Sequence, residues 1–319
     1  MSDSFSIISL GFQLGNCAST ATANLLLSLL IVYRKELRRE KELILLAYYC
    51  FTDALYAYGA FYLALRRFQS TLWPYAFPDV SPNNCIFHPL HLLIVFSYPA
   101  VPLAELALTI DRGYAIFRPA KYFRMDHRAS IRMVIGITII AFSFVGYCIY
   151  DSLTRSDPPL SVRYGCYPEV YSTIFNSIMF GGKAVLYAIC CIVYLPIICR
   201  LLHLHGTHKK CKCQQCQMKR SCANIGVLIV GLLVLIIVPT PCLLFFPDSK
   251  VVELLFYNLA LSKPWLNVIF ALVSFSQIRR LVFPVLKKRF AALRNSRGSR
   301  ISSAGGREKE FEMPTTRSN

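Results

Sequence analysis

Residues 86–119 read IFHPLHLLIVFSYPAVPLAELALTIDRGYAIFRP. The part from Ile86 to Ile110 is predominantly apolar, with Glu105 its one acid. A helix rises about 1.5 Å per residue and the hydrocarbon core of a bilayer is about 30 Å thick, so this run is long enough to cross. Backbone N–H and C=O groups in hydrocarbon find partners only inside their own segment, which makes the run helical. An acid and a base follow at once, Asp111 and Arg112, and then Arg118 stands before Pro119. That change from apolar to charged marks where the helix leaves the membrane.

Working outward, six more runs of this kind occupy 7–33, 43–65, 133–150, 170–199, 223–246 and 251–277. Soluble domains carry about 25% charged residues; here the figure is 16%, with 55% hydrophobic residues and a mean hydropathy of +0.46. The expected fold is therefore all-α, a seven-transmembrane helix bundle whose connections leave no room for a soluble domain. Residues 1–290 form the membrane domain with a short helix after the last span, and 291–319 form a disordered polar tail. No internal repeat is evident, which counts against a transporter built from duplicated halves.

A net charge of +18 raises the question of nucleic acid, and the distribution answers it. With the N-terminus outside, 28 of the 35 Lys and Arg residues fall on inner segments, and only Arg66, Arg67, Arg155, Arg163 and Lys250 fall outside. Such asymmetry orients the bundle with its C-terminus inside. The basic residues then face anionic lipid on the cytoplasmic leaflet, and no nucleic-acid partner is expected. The few residues before the first run show no basic region and no cleavage pattern, so the first helix is expected to serve as its own insertion signal. No N-glycosylation sequon occurs.

The thirteen cysteines sort by compartment. Cys85 and Cys166 both lie on the outer side, where a bridge between them is chemically permitted. Cys17, Cys50, Cys148, Cys190, Cys191 and Cys242 lie within spans as small packing residues. Cys211, Cys213, Cys216 and Cys222 crowd the third inner loop behind His203, His205 and His208. Zinc binding, palmitoylation and plain reduced thiols all fit that cluster, the last most simply, and no metal or cofactor is assigned.

The nine residues from Asp111 to Pro119 resemble the D-R-Y-x-A-I-x-x-P signature of rhodopsin-like G-protein-coupled receptors, with Gly113 in place of the tyrosine. Other positions agree. Asn24 with Leu37-Arg38 resembles the family's first-helix asparagine and its downstream Leu-Arg. Asp53 resembles its buried aspartate, shifted by one residue in the loop. Tyr194 with Ile197 and Leu201 is similar to its Tyr-x-x-Ile-x-x-x-Leu, and Asn267 to the asparagine of N-P-x-x-Y. The departures are Val268 and Ala271 in that last motif, no tryptophan before Pro239 or Pro241, and none in span four. The chain is thus similar to a divergent member, in the style of the serpentine chemoreceptors of nematodes. The resemblance implies a Cys85–Cys166 bridge and an amphipathic helix from Ser276. It also implies a switch in which Arg112 pairs with Asp111 while the bundle is closed and meets a G protein when it opens, with Tyr194 lining the cleft.

Charges inside a membrane are costly and mark functional positions. Four stand out within runs: Asp53, Glu105, Lys183 and Lys263. Lys263 is one turn before Asn267, in the region where such receptors commonly hold a sodium ion, and is expected to replace that ion by pairing with Asp53. Asn24, Asp53, Glu105, Lys263 and Asn267 then form one intramembrane polar network. Lys183, roughly 16 Å outward of Tyr194, is a candidate pocket residue, meeting a ligand carboxylate or, preferably, Glu105. The implied partners are a heterotrimeric G protein, a small-molecule ligand and membrane lipids, at the plasma membrane. A ligand-gated channel or transporter using the same charges is the alternative. No nucleophile or metal-hydrolase motif is present, so an enzyme is not expected.

Overall fold

The computed structural model describes residues 2–38, 40–73, 75, 81–155, 171–207, 263–269, 271–272, 275 and 278–280. In chain order these hold α1 (Ser2–Tyr33), α2 (Lys35–Arg38), α3 (Lys41–Leu72), α4 (Pro82–Ile86), α5 (Pro89–Phe117), α6 (Pro119–Arg124), α7 (Arg128–Thr154) and α8 (Thr173–Thr207). Residues 263–269 and 271–272 are helical too, and no strand occurs among the described residues. Among the described residues, five helices are long and apolar enough to cross a membrane, within α1, α3, α5, α7 and α8. The expected sixth span, residues 251–262 of the seventh run, Cys166, the Cys211–Cys222 cluster and the tail lie outside the described residues. The chain divides into two compact units, Met1–Ser274 and Phe275–Asn319. In the second, residues 278–280 are helical, and the Arg279 amide donates to the Phe275 carbonyl at 3.1 Å.

Local chemistry sets the helix ends, which is why they depart from the apolar runs. The third run was expected to begin at Ile86, but Pro82–Ile86 forms the separate helix α4. His88 then caps α5, its side chain accepting from the Leu90 amide at 3.3 Å, with Pro89 in the first turn where a missing N–H costs nothing. Pro119 opens α6 in the same way. Ser172 caps α8 by accepting from the Phe175 amide at 3.0 Å. Within the spans, hydroxyls bond back to carbonyls one turn earlier, as Thr109 does to Glu105 and Thr138 to Val134, both at 2.8 Å. Such bonds give a hydroxyl its partner within hydrocarbon.

α5 is the hub. It packs against α3, α7 and α8, while α1 packs on α3. Of the apolar windows, 61% is buried in α3 and 56% in α5, against 17% in α7, so α7 is peripheral. Its Ile135, Ile139, Ile140, Phe142 and Tyr150 point outward, a row suited to lipid. α5 stays helical through Pro99 and Pro102, each of which removes one rung of its hydrogen-bond ladder.

The contact of α3 with α5 depends on Gly59. A Cβ there would lie 2.2 Å from Ile94 Cγ1 and 2.9 Å from the Leu90 carbonyl oxygen, and backbone cannot step aside as a side chain can. Gly59→Ala is therefore expected to destabilise the bundle by about 1–3 kcal/mol. Gly136→Ala on α7, with nothing within 4 Å, is expected to leave stability unchanged or slightly raised. Thermal unfolding of the two purified variants checks this; equal midpoints would mean that the helices do not pack this closely.

Candidate functional site

Three polar layers lie along the bundle. The first is at the end that carries the basic loops, the inner end on the charge argument. Arg112 is 5% exposed, and its Nη1 stands 2.5 Å from Glu42 Oε2 in the first turn of α3. The Tyr122 hydroxyl, on α6, sits between two carboxylates, 3.1 Å from Glu42 Oε1 and 3.0 Å from Asp111 Oδ2. Burial first, and then the charges of Glu42 and Asp111, push its ionisation well above the usual phenol range, so it remains a donor. Lys41 closes the cluster by donating to the Tyr122 and Met125 carbonyls and lying 3.4 Å from the Tyr122 ring centroid.

The expected pairing of Arg112 with Asp111 is corrected here. Neighbouring residues on a helix point about 100° apart, so the two side chains diverge. Arg112 turns to Glu42 on the adjacent helix, and Asp111 turns to Tyr122. Tyr194, the third expected switch residue, is buried on α8 at 1% exposure. Near it, a Cβ on Gly113 would lie 3.2 Å from Ile197 Cδ1, so the site of the missing tyrosine is close against α8.

The second layer is in mid-span. Lys263 Nζ donates to Glu105 Oε2 at 2.6 Å and to the Tyr187 hydroxyl at 2.7 Å, and the Tyr49 hydroxyl donates to the same Glu105 oxygen at 3.2 Å. Asn267 Nδ2 donates to Asp53, and Asn24 Nδ2 donates to the Thr20 and Pro264 carbonyls at 3.0 and 3.1 Å. All five expected network residues are buried. The expected pairing of Lys263 with Asp53 is corrected: the Asn267 amide occupies Asp53, and Lys263, one turn away, reaches Glu105 instead.

The third layer holds Lys183 on α8. Its Nζ lies 4.7 Å from the Tyr98 ring centroid and 5.0 Å from that of Tyr56. The favoured pairing with Glu105 is corrected as well. Lys263 holds Glu105, and Lys183, one turn beyond Tyr187, meets the rings of Tyr98 and Tyr56. Tyr98, Glu105 and Arg112 thus mark the three layers at seven-residue intervals on α5.

Beyond them, Cys85 and Cys148 join Val95, Phe175 and Met179 in an apolar cluster, beside the bond between the Tyr171 hydroxyl and His91 Nε2. Among the described residues no group of three or more His, Cys, Asp or Glu stands close enough to hold a metal ion.

The sequence profile of the serpentine type 7TM GPCR chemoreceptor Srsx family matches residues 18–280. The chain belongs to that family. No curated protein matches it. The Srsx match spans all three layers, and with it the chain is an all-α, seven-transmembrane, multi-pass membrane protein of a chemoreceptor family, which is not an enzyme family. In this Srsx chain the residues missed by sequence reasoning are the partners: Glu42, Tyr122, Tyr49, Tyr187, Tyr56 and Tyr98. Glu42 carried a faint signal as an acid at the mouth of a span in a loop rich in Lys and Arg. The tyrosines carried none, because an aromatic within a span is ordinarily packing.

Proposed function

We propose that this Srsx chain is a chemosensory receptor of the plasma membrane that takes a small ligand in the outer half of its bundle and activates a heterotrimeric G protein. The observation that carries the reading is the ion pair of buried Arg112 with partly buried Glu42 at the inner mouth. A guanidinium held there by a neighbouring helix, not by its own, is released when those helices part, and its planar fork is then free for a partner. A ligand that binds the parted form better shifts the population toward it, with no other force needed. Asp111, Tyr122 and Lys41 brace the closed form, and Tyr194 lines the cleft that opens.

The outer end serves as the fixed frame. We assign Cys85 to a bridge with Cys166; Cys85 is fully buried, is disulfide-bonded, and anchors the start of the hub helix region. Lys183 faces the pocket, and the network of Asn24, Asp53, Glu105, Lys263 and Asn267 links pocket to mouth.

The test is a small-molecule screen in cells expressing the chain, recording membrane current and a second messenger together, with G-protein turnover blocked in parallel. The expected response is abolished by the block and lost in Arg112→Ala at equal surface expression. A ligand-gated current that survives both changes would replace this reading with a channel.

A further inference from the structure

Among the described residues, Asp53, Glu105, Lys183 and Lys263 are the charged side chains that interrupt the apolar runs, and three of them have polar partners: Glu105 and Lys263 hold each other, and Asp53 accepts from Asn267. Among the described residues Lys183 makes no hydrogen bond and no ion pair; what its ammonium meets are the faces of Tyr56 and Tyr98. Ring faces return only part of what a cation loses on leaving water. The charges that reach it through space are Lys263, Asp53 and Glu105, and both acids are already engaged. The grip is well made. Tyr56 and Tyr98 meet edge to face at 5.9 Å, and Phe180 stands edge-on to Tyr98 at 5.6 Å, so the walls are rigid aromatics.

We propose that Lys183, held between Tyr56 and Tyr98, anchors the negatively charged group of the ligand, so that the ligand of this chain is a small organic acid. The proposal rests on the receptor reading above and gives it a ligand class. A cation entering here is repelled, and a neutral compound leaves the ammonium without a counter-charge. An anion completes it, and its apolar body lies against the aromatic walls. The site is 14 residues from Arg112 along α5 when measured from Tyr98, or about 21 Å, which separates ligand from switch by most of a leaflet pair.

The experiment uses the full-length chain and a matched series of probes: the straight-chain carboxylates from butanoate to decanoate, each beside its methyl ester. Thermal stabilisation of the purified receptor reads binding directly, and second-messenger output in cells reads coupling. At least one acid is expected to stabilise wild type while its ester does not. Lys183→Gln is expected to weaken that acid about a hundredfold, and Lys183→Arg, which keeps the charge, to retain it. Equal surface expression of both variants guards against misfolding. The proposal is overturned if no acid stabilises wild type, if esters match acids, or if Lys183→Gln binds as well as wild type. Acid-selective binding through Lys183 without G-protein turnover would sink the coupling reading and leave the site standing. Turnover driven by neutral or cationic compounds, and unchanged in Lys183→Gln, would do the reverse.

Discussion

On the proposed receptor reading, Glu42→Gln is expected to raise basal G-protein turnover about tenfold over wild type at matched surface expression, and Asp111→Asn to raise it less. The reasoning is local. Glu42 and Arg112 meet at 2.5 Å with the Arg112 side chain only 6% exposed, so the bond is charge-assisted and mostly desolvated. Glutamine keeps the shape and an acceptor oxygen but not the charge, which costs the closed form about 1.4 kcal/mol, or a tenfold change in population. Asp111 contributes to the closed form by accepting from the Tyr122 hydroxyl, a bond between a carboxylate and a neutral donor. Removing its charge therefore loosens the brace and leaves the latch. A ligand-free second-messenger assay in cells decides the matter. If Asp111→Asn were the more active of the two, the latch would lie within α5, and the resemblance to the D-R-Y pattern would have been the better guide.

The second large effect is on stability. Glu105→Leu is expected to remove the receptor from the cell surface, and Glu105→Leu combined with Lys263→Met to restore it. Lys263 and Glu105 are each at most 5% exposed and meet at 2.6 Å. Deleting one partner strands the other charge at a cost of about 3–5 kcal/mol, against a total stability of about 5–15 kcal/mol. Deleting both leaves two apolar side chains of similar volume and strands no charge of the pair. Tyr49 and Tyr187 then lose a partner each, so restoration is expected to fall somewhat short of wild type. Surface labelling and the unfolding midpoint of the purified double variant measure it. A single variant that reaches the surface as wild type does would mean that the pair does not hold the bundle together.

What the sequence made legible follows from the physics of each feature. Five spans could be placed from hydropathy because hydrocarbon thickness dictates their length. Their ends could not, because His88 and Ser172 set them through cap bonds that hydropathy does not encode. The charges within the spans were identifiable one by one, since Asp53, Glu105, Lys183 and Lys263 each interrupt an apolar run. Their pairing was not. Depth along a helix restricts a partner only to within about a turn, and Asn267, one turn from Lys263, took the Asp53 carboxylate expected to hold Lys263. The same limit applies at the inner mouth. Adjacency in sequence suggested Asp111 for Arg112, while the geometry of a helix surface sends neighbours in different directions and gives Glu42 the contact.

The two missing rungs in α5 have a consequence for how the receptor can diversify. Pro99 and Pro102 fall between Tyr98 and Glu105, so the weakened stretch separates the uppermost storey from the two beneath it. From Glu105 to Arg112 the rod is unbroken, and those two contacts are obliged to travel together as one piece. Above the joint, the rod can tilt on its own. On the proposed receptor reading, side chains around Tyr98 can then vary without disturbing the contacts of Glu105 and Arg112, through which the two ends stay linked.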